Sequence, residues 1–532
     1  IVYLIPACKQ KYKCVLDQIS SVLRLKPKLA DESCFYIIVT PRIVCTFHSL
    51  LENRGLYGIV KLYQFSWEFI SVDEQLLSLE LPFMYKQLYV EQNHSLLTSI
   101  SMNLWSLFQV IGQPNIIFSV GKLSSKVLDI MEIYKEVYNR DFLKKDVQDI
   151  GALVIIDRDQ DYASSLLTPA TYSGLLNELF TINCGNLELN VNETKLKKGK
   201  LNFCSKEEEK MQTKNPTMIL DSSVDNLYGE IKYRHFSEVL GVLSSKAKLL
   251  KNEDVKALGL EEIKHFVANK LQHITTFKQN LVNHVLACET IIQEMSHRFE
   301  SIKQAETDMM NNRNKKSNFT FVDENFGTDI HMYNSLRLMC LLSLTQGLSS
   351  DEYNLLINKY LLAFGHKHLP IFTNLINTGL LIQPNQRLTL SSLSNKNLLA
   401  LGHKYLPSLS NLIKTPDKSE KSSSSYVFNG GYEPLISFIC NAILTSDSLM
   451  EVLAKLFTLN DLRIGGKVTI NKNERINPVI PLKSKTILVY VIGGVNYAEI
   501  AACDVLQRET ASKIYIASDS IRSGGDIMAA HF

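Results

Sequence analysis

Asp157, Arg158, Asp159 and Asp161 follow directly on the apolar run Ala152–Ile156, and acids and a base at that spacing could bind a cation, orient a water or relay a proton. The run shows no alternation and reads as a strand buried on both faces, so the charges fall at its carboxyl end, where open α/β sheets carry their functional surface. The rest of an active site is missing. No glycine turn follows the strand, and no His, Cys or Ser-Gly pair stands nearby to serve as base or nucleophile. Three carboxylates around one arginine are more simply an ion-paired network that pins a loop against a neighbouring domain.

Other candidate chemistry is equally incomplete. Gly121-Lys122 follows a strand but lacks the preceding glycine spacing, and Leu123 stands where a P-loop needs Ser or Thr. Gly493-Gly494 lies between a strand and a helix and is the best remaining dinucleotide turn. It has two of three glycines, and Val495-Asn496-Tyr497 would crowd a pyrophosphate. A nucleotide-dependent α/β enzyme built on that turn is the alternative reading of the chain. His366-Lys-His368 has no Cys or carboxylate at metal-ligand spacing and reads as a helix end. Glu230 to His235 mixes acid and base on one helix face, which resembles catalytic equipment. Neither a metal nor a cofactor is expected.

The elements that must position these residues come in alternation. Ile1–Ile5, Phe35–Val39 and Gly58–Tyr63 read as strands separated by helices over Tyr12–Leu25 and Phe47–Arg54, a βαβαβ unit. A second set runs from a helix over Ser95–Ile111 through strand Asn115–Val120 and a helix ending at Tyr138 to the strand at Ala152. Strands Thr486–Val491 and Lys513–Ala517, around a helix over Tyr497–Arg508, are of the same kind. From Phe236 to Leu412 nearly everything reads as helix. Val267, Leu271, Ile274, Lys278, Leu281, Val285, Cys288, Ile292, Met295, Phe299 and Ile302 recur at steps of four and three, a heptad seam broken at Lys278. Either the seam packs inside the helical domain or its half beyond Val285 awaits a partner helix. Lys195–Lys210, Met309–Ser317 and Lys414–Ser425 read as solvated, mobile breaks.

Composition narrows the classes. The 532 residues are 45% hydrophobic and 21% charged, ordinary for a globular chain of about three domains. A net charge of +3 gives no case for nucleic-acid binding. Ten cysteines are scattered without Cys-x-x-Cys pairs, the usage of a reduced, cytosolic protein. The apolar stretch Ile487–Leu506 contains Glu499 and Asp504, which argues against a lipid-spanning helix. The chain begins inside a strand without a methionine and reads as a fragment.

Several segments in order carry a family resemblance: Asp157-Arg-Asp-Gln-Asp161 with Leu167-Thr-Pro-Ala-Thr-Tyr-Ser-Gly-Leu-Leu-Asn-Glu178, Leu76-Leu-Ser-Leu-Glu-Leu-Pro82, Glu230-Ile-Lys-Tyr-Arg-His-Phe236, Leu243-Ser-Ser-Lys-Ala247, Ser335–Ser343, Tyr426–Leu435 and Ile492–Ala502. Together they resemble the SM family, the SNARE-binding proteins of membrane fusion, in its vacuolar-sorting branch. Arg337–Ser343 and Ala287–Thr290 favour the B-type over the A-type paralogue.

The resemblance implies an α/β plus all-α chain folded as a three-domain arch. Residues 1–65 would be an N-terminal α/β domain, completed by further residues before Ile1. Residues 66–235 and 431–532 would form a discontinuous second α/β domain, and 236–430 a helical domain with a hairpin near 284–333. It implies no enzyme. A cleft and the hairpin would hold SNARE helices in register, with Val285, Ile292, Met295, Phe299, Phe319 and Phe321 as candidate contacts. Tyr426, Phe428, Tyr432, Pro434 and Leu435 would meet a helical vacuolar-sorting partner subunit, of the type of the sixteenth subunit or its B-type relative, or else plug a domain boundary. An A-type protein would join the HOPS and CORVET tethers. The protein would be cytoplasmic and would reach late endosomes and lysosomes peripherally, through its partners.

Overall fold

A computed structural model describes residues 1–6, 8–25, 35–40, 43–44, 46–65, 69–138, 150–189, 216–252, 271–295, 299–326, 332–384, 424–445, 462–466 and 485–532. Strands β1 (Val2–Pro6), β2 (Phe35–Thr40) and β3 (Val60–Gln64) form a parallel sheet in that order. Helices Lys9–Leu25 and Thr46–Asn53 connect them, and the sheet has its own core, in which Tyr12 and Phe47 stack at 4.1 Å.

The larger sheet takes β4 (Ile70–Asp73), β5 (Leu76–Ser78), β6 (Ile116–Val120) and β7 (Ala152–Asp157) from the first part of the chain. After a small antiparallel sheet of β8 (Ile182–Asn183), β9 (Asn186–Glu188) and β10 (Thr217–Ile219), it takes β11 (Leu462–Gly466), β12 (Thr486–Ile492) and β13 (Lys513–Ser518) from the last part. The order is β11-β6-β7-β12-β13-β5-β4, parallel except at the two edge strands. Every residue of β7 is buried, because both faces are covered. Leu153, Ile155, Leu488 and Tyr490 face one core with helices Leu97–Ile111 and Lys122–Tyr138. Val154, Val489, Val491 and Ile516 face another with helices Leu435–Thr445 and Tyr497–Thr510.

The helical part contains Phe236–Asn252, Leu271–Met295, Phe299–Met310, Lys315–Asn325, Met332–Thr345, Ser350–Phe364 and Leu369–Thr378. The hairpin expected near 284–333 is not built as drawn. Met309, Met310, Val322 and Phe326 are buried in the main core, with Phe319 and Phe321 packed against it, so helices 299–310 and 315–325 lie down on the body. Within Met309–Ser317 the helices run on to Met310 and from Lys315, and residues 311–314 are a tight turn between them: Asn312 and Asn314 adopt left-handed backbone, and the Asn318 and Gln346 amides each donate to the Arg313 carbonyl at 2.8 Å. The long pair is instead 236–252 with 271–295, which share a core through Val239, Leu243, Ala287, Cys288 and Ile291. Helix 271–295 is about 37 Å long at the usual rise per residue. Val267, Lys195–Lys210 and residues 414–423 lie outside the described residues.

Candidate functional site

The carboxyl edge of the large sheet is where a ligand of this fold class would bind, and here the protein fills it with its own side chains. Gly121 ends β6 at φ +119°, and the first N–H groups of helix 122–138 then point at the crest of the sheet. Such a helix start attracts an anion. Asp157 takes that place, accepting from the N–H groups of Leu123 and Ser124, both at 2.7 Å. A Cβ on Gly121 would fall 2.3 Å from the Asp157 carboxylate, so nothing else enters the turn. Burial, then the proximity of Asp159, push the Asp157 carboxyl well above the usual carboxylate range, against the pull of those donors.

The second turn is filled the same way. Gly493 sits at φ +102°, and a Cβ there would meet the Tyr89 ring at 2.6 Å and Arg158 Cβ at 2.9 Å. Its N–H donates to both oxygens of Asp519 at 3.0 Å. Gly494 is wedged against the Arg522 side chain, 2.9 Å from where its own Cβ would be. Asn496 and Glu499 form a reciprocal cap on helix 497–510, so the N–H groups that a pyrophosphate would need are already bound. The dinucleotide reading therefore fails on space and on donors: an aromatic ring, an arginine and two carboxylates stand where the phosphates would be.

Arg158 ties the two turns together. It is 1% exposed, and its guanidinium donates to both oxygens of Glu499 at 2.8 Å and to the Asp161 carbonyl at 2.5 Å. Burial disfavours its charge, but the Glu499 carboxylate outweighs this and raises its pKa. The Tyr89 hydroxyl accepts from Arg158 N–H and donates to the Ile492 carbonyl, both at 2.8 Å. Asp161 accepts from Ser164 N–H at 3.0 Å and from its hydroxyl at 2.6 Å, then from the Tyr432 hydroxyl and Leu435 N–H at 3.0 Å. Asp159 is half-buried beside the Gln160 amide at 3.0 Å.

The aromatic segment 426–435, read as a partner surface or a plug, lies inside the molecule. Phe428, Tyr432 and Pro434 are buried; Tyr426 is half-buried with its hydroxyl on the Tyr233 carbonyl at 2.6 Å, and Leu435 is half-buried. These residues cannot form an exposed contact patch, because Asp161 and the main core hold them. What the segment exposes is its tip, Asn429 and Gly430, with the Asn429 side chain on His235 Nε2 at 2.8 Å. His366–His368 is one 3-10 turn after Gly365, and His368 packs on Phe532 at 5.2 Å.

The heptad seam straddles the border between core and solvent. Leu281 and Cys288 are buried, whereas Val285 and Ile292 are 36% and 42% exposed. Met295 and Phe299 are half-buried against the same core. The exposed stripe is Val282, Val285, Glu289 and Ile292; the heptad steps pass through buried Leu281 and so leave out its exposed neighbour Val282. Below that stripe, His284 is buried between the Tyr172 hydroxyl at 2.9 Å and Asp225 at 3.1 Å. Asp225 also caps helix Asn226–Ile231. The sequence reading missed this chain of bonds, which roots the long helix in the sheet domain; a polar residue on the buried side of a heptad was its only signal.

Among the described residues, no helix is long and apolar enough to cross a membrane, and no group of three or more His, Cys, Asp or Glu side chains could hold a metal ion.

Compared with known proteins, the chain matches the Sec1 family over residues 1–530. It is 25% identical over 526 residues to vacuolar protein sorting-associated protein 33B of Danio rerio, covering 93% of this chain and 81% of that one. To vacuolar protein sorting-associated protein 33A of Rattus norvegicus it is 24% identical over 542 residues, covering 97% and 84%. Its fold is similar to that of the SM protein Vps45, solved in complex with the Qa SNARE Tlg2, with a TM-score of 0.64 at 12% identity over 99% of this chain and 85% of that one. The Unc18 and syntaxin 1 complex from Monosiga brevicollis gives 0.60 at 14% identity, over 100% and 87%. With its strand edge closed to cofactors and a match that spans its length, the chain belongs to the Sec1 family.

Proposed function

We propose that this protein binds SNARE helices and guides their assembly during vesicle fusion in vacuolar sorting, at late endosomes and lysosomes, without catalysing a reaction. The observation that carries this reading is the stripe Val282, Val285 and Ile292 on helix 271–295, rooted by His284 and Asp225 and left uncovered among the described residues. Steps of three and four along one helix suit an amphipathic partner helix. The SNARE complexes of Vps45 and Unc18 support the partner class, and the likeness to 33B and 33A supports vacuolar sorting.

A helical vacuolar-sorting subunit of a tethering complex would bring the protein to the membrane. With Phe428, Tyr432 and Pro434 buried, we place that contact on the exposed tip at Asn429 and Gly430, which the buried aromatics hold in position.

Fluorescence anisotropy with labelled SNARE-motif peptides tests the first part. Ile292→Asp should weaken binding about tenfold, since a carboxylate replaces an apolar anchor in a desolvated seam. Unchanged affinity with a well-folded variant would sink the reading.

A further inference from the structure

A cleft of about 500 Å³ opens beside the end of β5, between the sheet domain and the start of helix 332–345. Phe83, Ile521 and Tyr333 give it apolar walls, and Lys86, Glu178 and Arg522 give it charge. No residue of the stripe on helix 271–295 lines it, so it is independent of the proposed SNARE surface.

The charges in this cleft are unevenly satisfied. Glu178 accepts from Arg337 at 3.1 Å and from Gly524 N–H at 3.3 Å. Asp526, also at the wall, accepts from Ser523 N–H at 3.0 Å and its hydroxyl at 2.8 Å. The cations differ. Arg522 is 8% exposed, lies 5.6 Å over the Tyr85 ring and, among the described residues, donates to the carbonyls of Pro82 and Asp526 alone, leaving Nε without a partner there. Among the described residues it forms no ion pair, unlike buried Arg158 and Arg337. Lys86 at the rim is half-buried and likewise unpaired among them. Burial lowers the Arg522 pKa against the more distant pull of Asp526 and Asp519, and a guanidinium buried with no direct carboxylate partner is costly, because carbonyl dipoles offset only part of that cost.

We infer that this cleft receives a short segment of a partner protein that presents a carboxylate side chain next to an apolar one. The carboxylate supplies the direct ion pair that Arg522 and Lys86 lack, and the apolar neighbour packs on Phe83 and Tyr333. The cleft is of the size that takes a few side chains rather than a whole helix. Complementary charge of this kind sets specificity as much as affinity.

The test is fluorescence anisotropy on the full chain with a fluorescein-labelled peptide Leu-Asp-Glu-Phe-Gly-Ser and its counterpart Leu-Asn-Gln-Phe-Gly-Ser. The acidic peptide should bind with a Kd below about 1 mM and the amide peptide at least about tenfold more weakly. Arg522→Gln should abolish that preference. Because Arg522 is buried and its variant could fold poorly, Lys86→Glu serves as the second arm: it leaves the interior untouched and should weaken the acidic peptide about tenfold while thermal melting stays unchanged. Equal affinity for the two peptides, no binding at about 1 mM, or Lys86→Glu indistinguishable from the unsubstituted chain overturns the proposal.

Discussion

Tyr432 shows how a residue suited to an interface serves an interior. Its hydroxyl reaches Asp161 at 3.0 Å, and its ring is buried beside Phe428. Tyr432→Phe should cost about 1 kcal/mol by removing one of the two donors to Asp161 Oδ1, whereas Tyr432→Asp places a second buried carboxylate beside it and should lower the melting temperature far more. Melting curves of the two variants check this order. Two other buried groups titrate with opposite signs. Burial pushes the Asp519 carboxyl up to about 6, so the folded state prefers it protonated: its contribution is full at acid pH and is lost as pH rises through about 6. Burial pushes the His531 imidazole down to about 4, so the folded state prefers it neutral: its contribution is present above the ordinary histidine range and is lost as pH falls toward 4. Stability measured between pH 4 and 6.5 should therefore lose acid sensitivity in His531→Gln and gain it in Asp519→Asn, each change being of the order of 3 kcal/mol across the window. Parallel curves for both variants would refute the assignment.

At the scale of elements, helix 271–295 presents two flanks with different duties. Val285→Asp should leave thermal melting nearly unchanged while weakening SNARE-motif peptides, whereas Cys288→Asp, three residues on, should lower the melting temperature by burying a charge among Leu243, Ala287 and Ile291. The period of this helix was legible in the sequence because the apolar steps are regular. Its orientation was not, since the seam residues sit near the border and an apolar residue there suits either side. The strands were legible for the opposite reason. Ala152–Ile156 and Ile487–Val491 are continuous apolar runs that only a doubly covered sheet accommodates, and Asp157 and Arg158 end one of them where their partners must be found. Those partners were not legible. Glu499 lies 341 residues from Arg158, and the packing of two distant turns is what brings them together. The family could be read from the order of short segments, each weak alone, because order along a chain survives where single residues change.

For the whole molecule, the large sheet is assembled from both ends of the chain. β12 pairs with β7 on one side and β13 on the other, so Thr486–Ser518 supplies strands in the middle of the sheet and not at its margin. A version of the protein stopped after residue 485 should therefore fail as a unit: β7 would lose its neighbour, Arg158 its counter-charge, and Gly493 its wedge behind Tyr89. Limited proteolysis should find residues 69–189 degraded in such a version while the three-stranded unit at residues 1–65, with its separate core, resists. Synthesis imposes the same order. A ribosome releases β6 and β7 more than three hundred residues before their central neighbours emerge, and until then an oily surface waits for its last strands. A cell making this protein must shelter that half-built sheet, so shortage of a holding chaperone should reduce its yield before it touches its activity.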